Sequence, residues 1–243
     1  MINIFRKSKP TLLSLIPKGF VDIHSHILPG IDDGAKDINQ SISLILEMKK
    51  MGFSKIIGTP HTYPGLYNNT NNTIKKSFDE LEKKVRGRMK LSYASEYMVD
   101  TSLIKKAEEK DMLCLGRNFV LIETSINQEP LSFDNVIFNL QTNGYTPIIA
   151  HPERYTYMYN NKKKYFYLAD KGCKFQINLL SIVGYYGKSS IHLCDFLLKN
   201  NLVDFAGSDL HNIGQIEYFK GRVSINYYRK IIKVLENNIE NFS

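Results

Sequence analysis

A chain of 243 residues in which 43% are apolar can bury one substantial core, and its length suits a β/α barrel folding as a single unit. No stretch approaches the roughly 18 consecutive apolar residues a membrane-spanning helix needs, so no membrane span is expected. The formal charge of +8 is dispersed, with Lys75, Lys76, Lys83, Lys84, Arg86, Arg88 and Lys90 sharing a stretch with Asp79, Glu80 and Glu82; that describes a solvated face, with attraction to an anionic partner as the alternative, and the sequence carries no nucleic-acid recognition motif.

Residues 1–18 form a basic leader carrying Arg6, Lys7, Lys9 and Lys18. Its apolar part, Leu12 to Ile16, falls short of the roughly 7–15 residues of a signal-peptide core, and no small-residue cleavage site follows. The leader is expected to be retained in a cytoplasmic protein, either flexible or packed on the bottom of a barrel. Residues 19–243 are expected to form one domain.

Within that domain, short apolar runs predict strands at Gly19–His24, Lys55–Gly58, Lys90–Glu96, Phe119–Thr124, Pro147–His151, Lys174–Asn178 and Val203–Gly207. Helix-like stretches lie at about 37–51, 73–86, 101–110, 133–143, 161–171, 188–200 and 222–238. In the first of these Ile38, Ile42, Ile45 and Met48 recur at three- and four-residue steps, the stripe of an amphipathic helix. Gly52, Gly144 and Gly172 follow such stretches where a helix would be capped. Strand then helix, seven times, implies parallel pairing with helices outside. A distorted seven-unit α/β barrel accommodates this better than a flat sheet.

Polar residues stop the strands. His24 and His26 close the first, His61 follows the second, and Glu96 and Glu123 end the third and fourth. His151 ends the fifth, and Asp209 and His211 follow the seventh. Strand geometry alternates faces, so His24 and His26 point one way, as do Asp209 and His211. Barrel enzymes carry their chemistry at the C-terminal strand ends, so these residues are expected to meet around metal. Asp32-Asp33-Gly34 would be an ordinary turn elsewhere, but its place after His-x-His adds a carboxylate to the set. His192 lies inside a helix-like stretch and is read as structural. Cys114, Cys173 and Cys194 are unclustered and odd in number, which suits a reducing compartment and argues against disulfides or a thiolate zinc site. The residues six positions beyond them are Val120, Leu179 and Asn200. None is Arg, so a Cys-x5-Arg thiol phosphatase is excluded.

Taken together, Asp22-Ile-His-Ser-His-Ile-Leu-Pro-Gly-Ile-Asp-Asp-Gly34, Thr59-Pro-His61, Ser95-Glu96, Leu121-Ile-Glu-Thr-Ser125, Ala150-His-Pro-Glu-Arg-Tyr155 and Gly207-Ser-Asp-Leu-His-Asn212 resemble the PHP-domain phosphoesterases. More narrowly they resemble the bacterial manganese-dependent tyrosine-protein phosphatases of capsule and exopolysaccharide loci, the CpsB/CapC/YwqE type. The resemblance implies a distorted (β/α)7 TIM-like barrel of the PHP type with three metals in its mouth. His24, His26, Glu96 and Asp209 would hold the first. Glu96 would bridge to a second completed by Glu123 and His151, while Asp33, His61 and His211 would hold the third. Nine nitrogen and oxygen donors without thiolate suit Mn2+, with Fe or Zn as alternatives.

Arg154, close to His151, is the guanidinium expected to bind phosphate, and Asp33 or a water is the candidate general acid. Tyr63 and Tyr67 lie where they could stack on a phosphotyrosine ring. The implied partner is a phosphotyrosine protein, namely the tyrosine-rich tail of a bacterial tyrosine kinase. A small-molecule phosphatase, such as one acting on histidinol phosphate, is the alternative. The chain departs from the family in lacking Arg shortly after Asp209-Leu-His211, where Lys220 or Arg222 would have to substitute.

Overall fold

The structure, a computed structural model, describes residues 8–243. Its sheet ladders are all parallel. Parallel neighbours require long crossovers, and helices supply most of them. After a short helix α1 (Leu12–Leu15), the first units are β1 (Phe20–Ser25), α2 (Ile38–Lys50), β2 (Phe53–Gly58), β3 (His61–Thr62), α3 (Asn71–Val85), β4 (Lys90–Tyr93) and β5 (Glu96–Met98). There follow α4 (Ser102–Glu108), β6 (Phe119–Glu123), α5 (Phe133–Thr142), β7 (Thr146–Ala150), α6 (Lys163–Asp170), β8 (Lys174–Asn178), α7 (Gly187–Lys199), β9 (Phe205–Gly207) and α8 (Tyr228–Phe242).

The order β1-β2-β4 forms one sheet and β3-β5-β6-β7-β8-β9 another. Nine strands stand where seven were expected because the second and third are each interrupted. Pro60 has no N–H, so a rung is missing between Gly58 and His61. The chain opposite still follows it, with Ala94 N donating to Gly58 O at 2.9 Å and Glu96 N to Pro60 O at 3.1 Å. At the far edges β1 and the segment after β9 also meet: Asp209 N donates to His24 O at 2.8 Å and His26 N to Leu210 O at 3.0 Å. From below, Asn238 on α8 donates to Val21 O at 2.9 Å and to Ala206 O at 2.6 Å, tying the same two strands together.

Alternation along the strands divides the core into two layers. Val120, Ile122 and Ile149 join the large cluster that packs against the helices. Leu121, Ile148 and Phe205 belong to a smaller cluster with Val21, Ile23 and Phe242. Glu123 is two residues from Leu121 and therefore shares that inner face. Gln176 and Asn178 alternate with Phe175 and Ile177 of the helix-facing layer, so they too face inward.

The glycines after α2, α5 and α6 have φ of +96°, +84° and +85°, the left-handed caps that the sequence suggested. The last helix departs most from expectation. It starts at Tyr228, after a 3-10 run Ile213–Lys220. Residues 222–225 are held extended instead: Val223 N donates to Pro10 O at 3.0 Å and Ser224 N to Ile182 O at 2.7 Å. Leu12 of the leader is buried, and its N–H donates to Gly221 O at 2.9 Å. Arg6 and Lys7 lie outside the described residues. No described helix is long and apolar enough to cross a membrane.

Candidate metal centre

Interrupted strands and turns bring the expected side chains to one rim. His24 lies within β1 and His26 just after it; His61 opens β3 and Glu96 opens β5. Glu123 closes β6, His151 follows β7, and Asp209 and His211 follow β9. Asp33 comes from the loop after β1 and is about half exposed at 51%. Two of these residues have left-handed backbones, His151 at φ 32° and Asp209 at φ 51°. Such conformations cost energy for residues with a Cβ and cluster at functional sites.

Four overlapping groups of donor atoms result: His24, His26 and Glu96; His24, His151 and Asp209; His61, Glu96 and Glu123; and His26, Asp33, His61 and His211. His24 Nε2 lies 3.2 Å from Glu96 Oε2 and 3.3 Å from Asp209 Oδ1, and His26 Nε2 lies 3.1 Å from that Asp209 oxygen. His151 Nε2 is 3.0 Å from Glu96 Oε1 and 4.0 Å from Glu123 Oε2. His61 Nε2 and His211 Nε2 each lie 3.4 Å from Asp33 Oδ1. His61 also turns Nδ1 toward Glu123 at 2.8 Å and Glu96 at 3.1 Å, so it belongs to the third group as well as the fourth. Glu96 turns Oε1 to His151 and Oε2 to His24, His26 and His61. Its Oε2 is buried and accepts no hydrogen bond, although imidazole nitrogens of His24, His26 and His61 lie within 3.5 Å. Buried carboxylate oxygens without donors are costly. A ring of lone pairs aimed at a common point is what a divalent cation satisfies, and the donor set fits a borderline-to-hard ion.

Asp32, Gln176 and the Asp209 carbonyl orient these ligands, a role that the sequence did not assign to them. Asp32 Oδ2 accepts from His26 Nδ1 at 2.8 Å and from the His61 N–H at 3.2 Å. Gln176 Oε1 accepts from His24 Nδ1 at 2.8 Å, its amide fixed by Nε2 donating to Ile177 O at 2.7 Å. His211 Nδ1 donates to the Asp209 carbonyl at 2.9 Å. In each case the outer ring nitrogen is occupied and Nε2 is left facing inward, the arrangement that fixes tautomer and aim in metal-binding histidines. The available signals were Asp32 beside Asp33 after His-x-His, and polar Gln176 and Asn178 in an otherwise apolar strand.

Packing five imidazoles with these carboxylates sets the charges. Burial pushes the His24 imidazole down, but Glu96 and Asp209 more than offset it and leave it above its usual value. For His61, burial and the neighbouring His26 are outweighed by Glu96 and Glu123, raising it to about 10. The hydrogen bond from His211 pulls the Asp33 carboxyl down to about 2. Burial pushes the Cys114 and Cys173 thiols up to about 11 and about 12, which leaves them unreactive near neutral pH.

Arg154 stands on the turn Pro152–Arg154 after His151, and its Nη1 donates to Asp209 Oδ2 at 2.8 Å. Among the described residues no Lys makes an ion pair with the cluster, and Arg154 is the sole Arg that does. Lys220 pairs with Glu217 at 2.8 Å, and Arg222 donates to the Lys9 carbonyl at 2.8 Å. Both side chains thus bond to groups outside the cluster. Of the two tyrosines after His61, Tyr67 stacks on its ring at 5.5 Å and 13°, while Tyr63 closes the turn through backbone hydrogen bonds with Tyr67. His192 lies on α7, apart from the cluster.

A family model described as capsular polysaccharide synthesis, CpsB/CapC, matches residues 20–218. The chain belongs to the CpsB/CapC family. Among curated relatives, tyrosine-protein phosphatase YwqE of Bacillus subtilis (strain 168) is 32% identical over 197 residues, covering 79% of this chain and 78% of that protein. Putative tyrosine-protein phosphatase CapC of Staphylococcus aureus is 30% identical over 226 residues, covering 89% of each. Crystal structures of YwqE from Bacillus subtilis and CpsB from Streptococcus pneumoniae, described as unique metal-dependent tyrosine phosphatases, include one similar at a TM-score of 0.76 and 30% identity, covering 89% of this chain and 86% of that one. A histidinol phosphate phosphatase from Lactococcus lactis subsp. lactis Il1403 has a TM-score of 0.57 at 14% identity, over 89% of this chain and 93% of that one. That likeness is one of fold alone.

Proposed function

We propose that this chain is a metal-dependent protein-tyrosine phosphatase. The observation that carries the reading is Glu96, a buried carboxylate whose Oε1 faces His151 and whose Oε2 faces the imidazoles of His24, His26 and His61 without accepting a hydrogen bond. His24, His26, Glu96 and Asp209 would hold one cation, Glu96, Glu123 and His151 a second, and Asp33, His61 and His211 a third. Mn2+ is the ion assigned, with Fe or Zn as alternatives. We also read the two sheets as one distorted barrel, supported by the backbone bonds between His24, His26 and the segment after β9.

Bound cations would supply Lewis acidity, bringing the pKa of water toward neutrality and offsetting phosphoryl charge. The chain's own residues do the rest. Arg154 offers its remaining N–H groups to the phosphoryl oxygens, where charge must be held through the transfer. Asp33, at the exposed rim between His61 and His211, or a water beside it is assigned the proton transfer; with its carboxyl drawn down to about 2, Asp33 is ionised near neutral pH and would act there by holding the water that donates the proton. A tyrosyl leaving group has a pKa near 10 and needs less protonation than an alkoxide. Tyr67, beside His61, is read as a wall for the substrate's aromatic ring.

The substrate assigned is a phosphotyrosine protein, the tyrosine-rich tail of a bacterial tyrosine kinase in capsule or exopolysaccharide synthesis, met in the cytoplasm. Phosphate release from a phosphotyrosine peptide and from histidinol phosphate, both with Mn2+, tests this. Hydrolysis of the peptide is expected; activity on histidinol phosphate alone overturns the tyrosine assignment.

A further inference from the structure

Arg154 sits on a three-residue turn, so something other than regular secondary structure must aim its long side chain. We propose that Tyr186 is the positioning residue that holds the Arg154 guanidinium toward the phosphoryl group, an inference that rests on the phosphatase reading above. The guanidinium carbon lies 4.2 Å from the centre of the Tyr186 ring. One face of the fork is therefore covered, and one edge is fixed by the bond from Nη1 to Asp209 Oδ2 at 2.8 Å. The remaining donors of a planar five-donor group are left for phosphate.

Tyr186 is itself held from several sides. Asn178 Nδ2 donates both to the Tyr186 hydroxyl at 3.2 Å and to Asp209 Oδ2 at 2.9 Å. That amide cannot swing freely, because Asn178 Oδ1 accepts from Leu180 N at 2.7 Å and Asn178 N donates to buried Glu153 at 3.0 Å. The Tyr186 ring meets Tyr185 edge-on at 4.8 Å, and Tyr185 meets Tyr218 at 4.6 Å. Backbone geometry sets the pair in place: Gly184 and Gly187 on either side have φ of +93° and +87°, and a Cβ on Gly184 would come within 3.2 Å of Ile191 Cδ1. The chain thus builds a closed circuit of Arg154, Tyr186, Asn178 and Asp209. Asp209 gives one oxygen to the histidines and the other to this circuit, which couples the aim of the guanidinium to the cluster. Without the Tyr186 ring, the bond to Asp209 would be left as the one hydrogen bond that fixes the guanidinium.

The test compares Tyr186→Leu and Tyr186→Phe in the metal-loaded full chain, each alone and combined with Arg154→Gln. In Tyr186→Leu, kcat/KM on a phosphotyrosine peptide is expected to fall on the order of tenfold, the inhibition constant of inorganic phosphate to rise in step, and bound metal to stay constant. Tyr186→Phe keeps the ring and should stay within about threefold of the parent. In the Arg154→Gln background, Tyr186→Leu should cost nothing further. An equal loss in that background, or unchanged phosphate inhibition in Tyr186→Leu, overturns the inference. Should Tyr186→Leu not fold, replacing Tyr186 with trifluorinated phenylalanine keeps the ring's shape while weakening its negative face; it must bind phosphate more weakly than Tyr186→Phe, and equality overturns the inference. If the parent chain releases no phosphate from phosphotyrosine, the phosphatase reading fails. Calorimetry with inorganic phosphate then still decides the role of Tyr186.

Discussion

Gln176 and Asp32 do not face the point where a cation would sit, yet each holds the outer nitrogen of an imidazole that does. Gln176→Leu strands the His24 N–H in a buried setting, and loss of such orienting partners typically lowers metal affinity on the order of 10–100-fold. A fluorescent-chelator competition should show that weakening in a folded chain; unchanged affinity would mean that β1 alone aims His24. The pH response follows from His61. In the metal-free chain its imidazole is raised from 6.5 to about 10, so the stability it contributes is full below 6.5 and is lost as pH rises through about 10. Asp33, drawn from 3.8 to about 2, acts oppositely: its contribution is present above 3.8 and is lost as pH falls through about 2. Cations need the imidazole lone pairs, so binding expels protons. Metal affinity is therefore expected to climb from neutral pH toward about 10 while the melting temperature of the chelated chain declines. Calorimetric metal titration in buffers of different ionisation enthalpy measures the released protons directly.

Elements, rather than single residues, decide whether the two ends of the site meet. Gly207 closes β9, and a Cβ there would lie 2.5 Å from His24 Cβ and 2.8 Å from Gln176 Nε2. Since β1 and β8 are both buried, neither neighbour can step aside cheaply. Gly207→Ala should cost about 1–3 kcal/mol and weaken metal retention, whereas Gly65→Ala, whose Cβ meets nothing within 4 Å, should pay only for its backbone and keep its metal. Melting curves with metal counts distinguish the two. The strands and the nine ligand-type residues were legible because His24, His61, Glu123 and His151 each stop an apolar run. Gln176 and Asn178 were hidden because polar residues within a strand have many uses, and only the fold supplies their partners. The extended residues 222–225 were misread as helix because what pairs with Val223 is Pro10, more than 200 positions away in the chain. Tyr186 was invisible for a similar reason: nothing in Gly184-Tyr-Tyr-Gly187 announces Arg154.

At the scale of the molecule, the parallel sheets act as a frame that collects side chains from residues 24 to 211 at one rim. Asn238 stitches β1 to β9 beneath, and membership of the CpsB/CapC family spans the segment that contains every member of the cluster. The most direct test counts metal and activity on the same sample. Freshly purified chain is expected to hold two to three Mn, Fe or Zn ions, with His24→Ala losing bound metal and phosphotyrosine hydrolysis together. A metal-free preparation that hydrolyses phosphotyrosine at full rate would contradict it.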